Sequence, residues 1–355
     1  MKRVLPLILA LCLLLCACAK EPVETEPSTV TTTAAPTTEA TTEATTEPTT
    51  APTTEPPVVY TNPLTGEEID APYMGRIYTV TINNVPAALP HYGVADADIF
   101  FEMLVNGGAT RGLAMFADPS DVGNIGSIRS ARYNFVDICE AYDAIMAHAG
   151  GSDAVMSKVY SCGIDNLNDH PDYFFRDYDR YYGGYDWEHC LFTTGENLIA
   201  YAEYYGYRTS AEEERDYGLD FAEGATPNGE TANEIDFWFW SNSRAMKYNA
   251  DTQKYEFWQY GDESLDGATG EVESFKNVLL LQMEVYWSDQ YHVADLDGSG
   301  DGYYACNGKI IPIQWHHENE YEPFTFTLTD GTPLEMDVGN SYIGFIPLED
   351  EISWE

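Results

Sequence analysis

The chain has 355 residues and a formal net charge of −42, from 59 acidic and 17 basic side chains. A field of that sign repels nucleic acid and anionic membrane surfaces, so both are discounted as partners of the folded surface. With 44% hydrophobic residues, the part beyond the N-terminal region is long enough for two ordinary domains with their own cores.

Met1-Lys2-Arg3 is a short basic start, and Val4 to Ala17 is an apolar run too short to span a bilayer. The run closes on Leu15-Cys16-Ala17-Cys18, the pattern of a bacterial lipoprotein signal. Cleavage before Cys18 would free its thiol to carry lipid and hold the chain on the extracytoplasmic face of the membrane. The alternative is an ordinary secretory signal cut nearby. From Cys18 to residue 57 the chain is almost wholly Thr, Glu, Pro and Ala. Such a segment cannot bury enough apolar surface to offset the entropy of ordering, and it reads as a disordered tether. Fully extended at about 3 Å per residue, it would reach about 100 Å.

Residues 58–210 are expected to form an α/β domain with a mixed sheet. Ile77–Asn83 alternates like a strand, and Asp98–Val105 and Ala109–Asp118 flank Asn106-Gly107-Gly108 as a hairpin. Ser127 is placed as the N-cap of a helix from Ile128 to about Tyr142. Asp143–His148 reads as a short buried strand, and Ser152–Tyr160 and Thr194–Tyr205 read as further helices. Residues 211–234 are acidic and bear Gly and Pro, as a junction does. Residues 235–355 carry short strand candidates separated by turns, from Ile235–Trp240 to Tyr342–Ile346, which suggests a mostly antiparallel β domain. The fold class is therefore α+β.

Arg111, Arg129 and Arg132 stand out in so acidic a chain. On a helix from Ile128, Arg132 falls inside the apolar stripe Ala131-Phe135-Ile138-Cys139-Tyr142, with Arg129 on its flank. A guanidinium there must find an anion. The helix start would add free N–H groups and a positive dipole end. Two outcomes are open: a pocket for a ligand carboxylate or phosphate, or a structural ion pair with Asp98 or Glu102. His148, just before Ala149-Gly150-Gly151, stands where side chains often meet a cleft. His170, His189 and Cys190 have no metal-like spacing, and no cofactor or metal is assigned. Asp295-Leu296-Asp297-Gly298-Ser299-Gly300-Asp301 opens like a calcium loop, but its twelfth position is Cys306 instead of Glu, so it reads as a turn feeding a strand. Cys139, Cys162, Cys190 and Cys306 form no CxxC pair and assign no disulfide.

Several stretches together resemble the YerB-like lipoproteins of Gram-positive bacteria, a two-part family of unknown function. They include Asn62-Pro63-Leu64-Thr65-Gly66, Gly107-Gly108-Ala109-Thr110-Arg111, Ile128-Arg129-Ser130-Ala131-Arg132 and His148-Ala149-Gly150-Gly151. Later ones are Gly298-Ser299-Gly300-Asp301-Gly302-Tyr303-Tyr304 and Gly339-Asn340-Ser341-Tyr342-Ile343. The likeness spans essentially everything after the tether. It departs at Glu188-His189-Cys190, where the family is expected to carry Pro-His-Asn. The resemblance implies a location and a two-part organisation, and no reaction.

The reading that follows is a lipid-anchored extracytoplasmic module without catalysis. It would bind a polar or anionic cell-wall ligand, or an exported protein, through Arg111, Arg129 and Arg132, with Glu102 and His148 orienting them. The alternative is an envelope hydrolase or transferase with His148 or Glu102 as acid/base.

Overall fold

The computed structural model describes residues 58–211 and 215–355. The signal segment 1–17, Cys18 and the tether to residue 57 lie outside the described residues. From Pro57 to Glu355 the chain forms one compact unit.

Its main elements, in chain order, begin with β1 (Tyr78–Asn84), β2 (Ile99–Leu104), β3 (Thr110–Phe116), α1 (Tyr133–Ala141) and β4 (Ile145–His148). Next come α2 (Asp153–Cys162), β5 (Asn166–Asn168), α3 (Tyr178–Tyr182), β6 (Leu191–Thr194) and α4 (Gly195–Tyr205). The second part supplies β7 (Glu234–Phe239), β8 (Asn242–Asn249), β9 (Lys254–Gln259), β10 (Asn277–Met283), β11 (Val285–Ser288) and β12 (Tyr291–Ala294). It closes with β13 (Gly298–Cys306), β14 (Lys309–His317), β15 (Ser341–Pro347) and β16 (Ile352–Trp354). Mixed sheet and antiparallel strands with fewer helices make this an α+β fold, as composition and patterning imply.

The central sheet has eleven strands, in the order Glu230–Thr231, β14, β13, β10, β15, β2, β3, β1, β4, β5, with Thr325–Leu328 branching off β14. It crosses the boundary between the two sequence segments. β15 pairs in parallel with both β10 and β2, setting Tyr342 beside Phe100 and Gly344 beside Glu102. The segments 58–210 and 235–355 therefore complete one sheet between them.

Strand periodicity divides the core in two. On one face Ile99, Phe101, Met103, Leu113 and Ile343 pack against Phe135, Ile138 and Cys139 of α1 and Val155 and Val159 of α2. On the other, Phe100, Val80, Leu280 and Tyr342 meet Phe237, Met246 and Phe257 of a second, antiparallel sheet. Because both faces are covered, β2 and β3 are buried throughout, which accounts for their continuous apolar runs. α2 is capped by the Ser152 side chain, which accepts from Val155 N–H, and α4 by Thr194, which accepts from Asn197 N–H. The segment that resembled a calcium loop continues directly into β13, so from Gly298 onward it is strand. Cys139, Cys162, Cys190 and Cys306 are all free thiols.

Candidate functional site

The helix expected from Ile128 begins five residues later, at Tyr133, with Arg132 in extended conformation at its N-cap. Residues 127–132 are instead extended, held by backbone bonds from both sides. Asn83 N–H donates to Ser127 O at 2.8 Å, Arg129 N–H to Thr81 O at 3.0 Å and Ile128 N–H to Leu191 O at 2.8 Å. Ala131 N–H donates to Gly150 O at 2.9 Å, and Ala149 N–H to Arg129 O at 3.0 Å. The segment thus takes over pairing with the end of β1. From Ser127 to Ala131 the backbone bonds go to sheet or loop, while Arg132 O accepts from Val136 N–H of α1, so helical propensity is overridden by tertiary pairing up to the N-cap. The stripe argument that put Arg132 among the helix's apolar residues does not apply.

The three arginines nevertheless converge. Arg111 stands on β3 opposite Asn83 of β1 and Met103 of β2, on the sheet face that carries α1. Its Nη1 donates to Ser130 O at 2.7 Å. Arg132 Nη1 donates to Ala131 O at 2.8 Å, and its Nη2 to Asn106 Oδ1 at 3.3 Å. The Arg132 guanidinium lies 4.3 Å from the ring centre of Tyr291 on β12, a cation–π contact. Arg129 is more open and donates to Glu188 Oε2 at 3.0 Å. Arg111 is 5% and Arg132 9% exposed, and among the described residues neither has a carboxylate within 4.0 Å. The Nε of each of the three is buried without a partner.

The electrostatics follow from that arrangement. Burial pushes the Arg111 guanidinium well below its ordinary range, and the nearby charges of Arg132 and Arg129 add to the shift. Arg132 is pushed down to about 10, chiefly by burial, with Tyr291 opposing and Arg129 adding. Arginine does not give up its proton under ordinary conditions, so both groups stay charged where burial, and after it the neighbouring positive charge, disfavours that charge. An anion placed among the three groups would stabilise it.

Glu102, expected beside the arginines, faces the other side of the sheet. It opposes Gly112, one position away from the Arg111–Met103 pair, and successive residues of a strand point to opposite faces. There it binds Arg244 Nη2 at 2.7 Å and Nε at 3.0 Å, Asn84 Nδ2 at 2.7 Å and the Tyr342 hydroxyl at 2.7 Å. Asp98, the other carboxylate considered for Arg132, accepts from Asn62 Nδ2 and Ala117 N–H.

His148 stands behind the site instead of in it. Its Nδ1–H donates to Gly150 O at 2.9 Å, and its Nε2 lies 3.3 Å from the Asn166 amide. Burial pushes its pKa down. Since Gly150 O also accepts from Ala131 N–H, the imidazole braces the loop that carries the arginine segment. Residues not singled out from the sequence complete the surround: Asn106 at the hairpin, Tyr291, and Asn83, whose Nδ2 donates to His189 Nδ1 at 2.7 Å. The hairpin register could have flagged Asn83 and Asn106, while Tyr291 is brought in from 159 residues beyond Arg132 and left no local signal.

The buried Arg111 and Arg132 and the more open Arg129 thus gather at the carboxyl ends of β1 and β2 and beside the start of α1, on an α+β scaffold. Residues 64–208 match the N-terminal domain, and residues 235–343 the C-terminal domain, of the family described as protein of unknown function DUF3048; the chain belongs to this family. It is 27% identical over 308 residues to the Bacillus subtilis protein named "Putative lipoprotein YerB", covering 80% of this chain and 88% of that protein. The crystal structure of YerB protein from Bacillus subtilis is similar, with a TM-score of 0.72 at 25% identity, over 82% of this chain and 99% of that one. The resemblance read from the sequence motifs is thereby shown.

Proposed function

We propose that this protein is a membrane-anchored, extracytoplasmic binding module without catalysis. Arg111, Arg129 and Arg132 would receive an anionic group of a cell-envelope ligand or of an exported protein partner. The observation that carries this is the pair of clustered buried guanidinium groups, Arg111 and Arg132, that have no carboxylate within 4.0 Å among the described residues. Shortage of acid is not the reason, because the chain carries 59 acidic residues. Two of the other buried arginines are ion-paired, Arg76 with Asp143 and Asp165 and Arg244 with Glu102, while Arg180, also without a carboxylate within 4.0 Å among the described residues, stands apart from the cluster and donates to the carbonyls of Ala88 and Pro90. Buried charge left uncompensated is costly, and sites of binding are where such cost is retained.

Anchoring is supported by the Leu15-Cys16-Ala17-Cys18 pattern, with Cys18 as the lipidated residue, by the tether composition, and by the name of the Bacillus relative. The hydrolase or transferase reading needs His148 or Glu102 as acid/base, and both are engaged in bonds that serve the scaffold.

The test is thermal unfolding of residues 57–355 with inorganic phosphate and with peptidoglycan and teichoic acid fragments, repeated for Arg132→Gln and Arg129→Gln. A ligand at 100 times its Kd contributes about 2.7 kcal/mol. For about 300 residues, that is a rise of about 4 °C in Tm. The rise should vanish in Arg132→Gln and shrink in Arg129→Gln, whose exposed ion pair matters little to folding. If no anion shifts the wild type, the arginines are structural and the proposal fails.

A further inference from the structure

The arginine cluster continues into an aromatic surface. Trp187, Glu188 and His189 are consecutive on one short 3-10 turn. Glu188 holds Arg129, His189 holds Asn83, and Trp187 therefore sits directly at the rim of the site. Its ring is 44% exposed and meets Tyr181 edge-on at 5.3 Å and Tyr178 at 5.8 Å. Tyr178 and Tyr181 of α3 are themselves 56% and 42% exposed. The Arg176 guanidinium lies 4.9 Å from the centre of the Trp187 ring, and its Nη1 donates to Trp187 O at 2.8 Å. Among the described residues Arg176 also has no carboxylate within 4.0 Å, which leaves its remaining donors available beside Arg129.

Three chemistries are thus adjacent: exposed aromatic rings, guanidinium groups of which Arg176 has no carboxylate partner among the described residues and Arg129 is paired with Glu188, and the further exposed carboxylates Asp179 and Asp186. A sugar satisfies all three. Its C–H face packs on an aromatic ring, its hydroxyls donate to carboxylates, and an acidic substituent meets the arginines. A densely charged polyanion would be repelled by the rim carboxylates. An acidic peptide would share that fault and bring no hydroxyl donors. Buried guanidinium groups also suit a small projecting acid better than a flat protein surface.

Resting on the arginine reading above, we infer that the ligand is an acidic saccharide, stacked on Trp187 with its carboxylate or phosphate held by Arg176, Arg129 and the buried pair. Calorimetric titration of the chain from residue 18 onward, with Cys18→Ser, tests this with a glucuronate-bearing disaccharide, glucose 6-phosphate, cellobiose and inorganic phosphate. The acidic sugars should bind at least tenfold more tightly than inorganic phosphate, and cellobiose more weakly than either acidic sugar. The two acidic sugars differ in their anion, so their ranking separates carboxylate from phosphate as its source. Trp187→Ala should cost about tenfold for the acidic sugars and leave inorganic phosphate unchanged, with Tyr181→Ala as a second exposed variant in the same direction. Equal affinity of cellobiose and the acidic sugars, or full sugar affinity in both aromatic variants, overturns the inference. If phosphate binds through Arg132 while no sugar binds more tightly, the saccharide is wrong and the arginine site stands. If neither phosphate nor sugar binds, the arginine reading itself has failed.

Discussion

Replacing Glu102 by Gln separates the scaffold from the site. Glu102 and Arg244 are both fully buried, and Glu102 accepts from four donor groups, two of them on Arg244. Burial pushes the Arg244 guanidinium down, yet the adjoining Glu102 carboxylate outweighs it and holds the group above its ordinary value. Glu102→Gln keeps the shape, removes the charge and turns an amide N–H₂ toward existing donors. Breaking a buried pair from one side costs about 3–5 kcal/mol. About 300 residues unfold with an entropy near 0.6 kcal/mol/K, so Tm should fall by about 5–8 °C. Calorimetric and urea unfolding of residues 57–355 measure the loss. Arg244→Met should cost a similar amount, and the double variant should cost less than the two summed by about 1–3 kcal/mol. Because Glu102 lies on the opposite face from Arg111, phosphate affinity of the folded Glu102→Gln chain should equal that of wild type. A Tm within about 1 °C of wild type, strictly additive costs, or lost phosphate binding in a folded variant would each refute the reasoning.

Four further outcomes are expected. Without ligand, Arg132→Gln should melt within about 2 °C of wild type, because loss of like-charge crowding offsets the lost contact with Tyr291; a larger fall in a melting curve would mark Arg132 as structural. His148 has a depressed pKa from burial, so its stabilising contribution is present above the unfolded value of about 6.5 and is lost as pH falls toward the folded value. Over that window its share of the pH slope approaches about 1.4 kcal/mol per unit, and His148→Gln should remove it in urea unfolding curves taken from pH 7.5 to 4.5. Asp98 acts oppositely, since burial raises it to about 6, so its contribution is full below about pH 4 and lost as pH rises through about 6. Thiol titration of folded residues 18–355 with Cys18→Ser should label Cys162 alone, as Cys139 and Cys306 are buried and pushed up to about 12 and about 11, and Cys190 is buried; fast native labelling of Cys139 would contradict its place in the core.

Much of the fold was legible because local pattern and tertiary demand agreed. The Asn106-Gly107-Gly108 turn, the apolar runs around it and the caps at Ser152 and Thr194 each carried their own signal. The segment 127–132 carries residues compatible with helix, Ala131 and two arginines among them, but backbone bonds to Thr81, Asn83, Ala149, Gly150 and Leu191, all distant in sequence, decide its state. The hairpin did contain the means to place Glu102 correctly. A turn at Asn106–Gly108 sets Leu104 against Thr110, so Met103 meets Arg111 and Glu102 meets Gly112 on the opposite face. The convergence of the arginines was legible from their spacing and rarity. That Arg244, 142 residues away, satisfies Glu102 had no local trace.

The insertion of β15 beside β2 has a consequence for the order in which the molecule can form. A chain emerges from its amino end, whether from a ribosome or through a membrane, but the β2 edge is completed only by residues that follow it by about 240 positions, as the Tyr342–Glu102 bond records. Until then a long apolar edge stands bare, a template for mispairing with other chains. The first family segment made alone should therefore be prone to aggregate, and clipping the last fifteen residues should unlatch the beginning of the fold as well as its end. The molecule closes like a clasp, whose final link is also the one that secures the first.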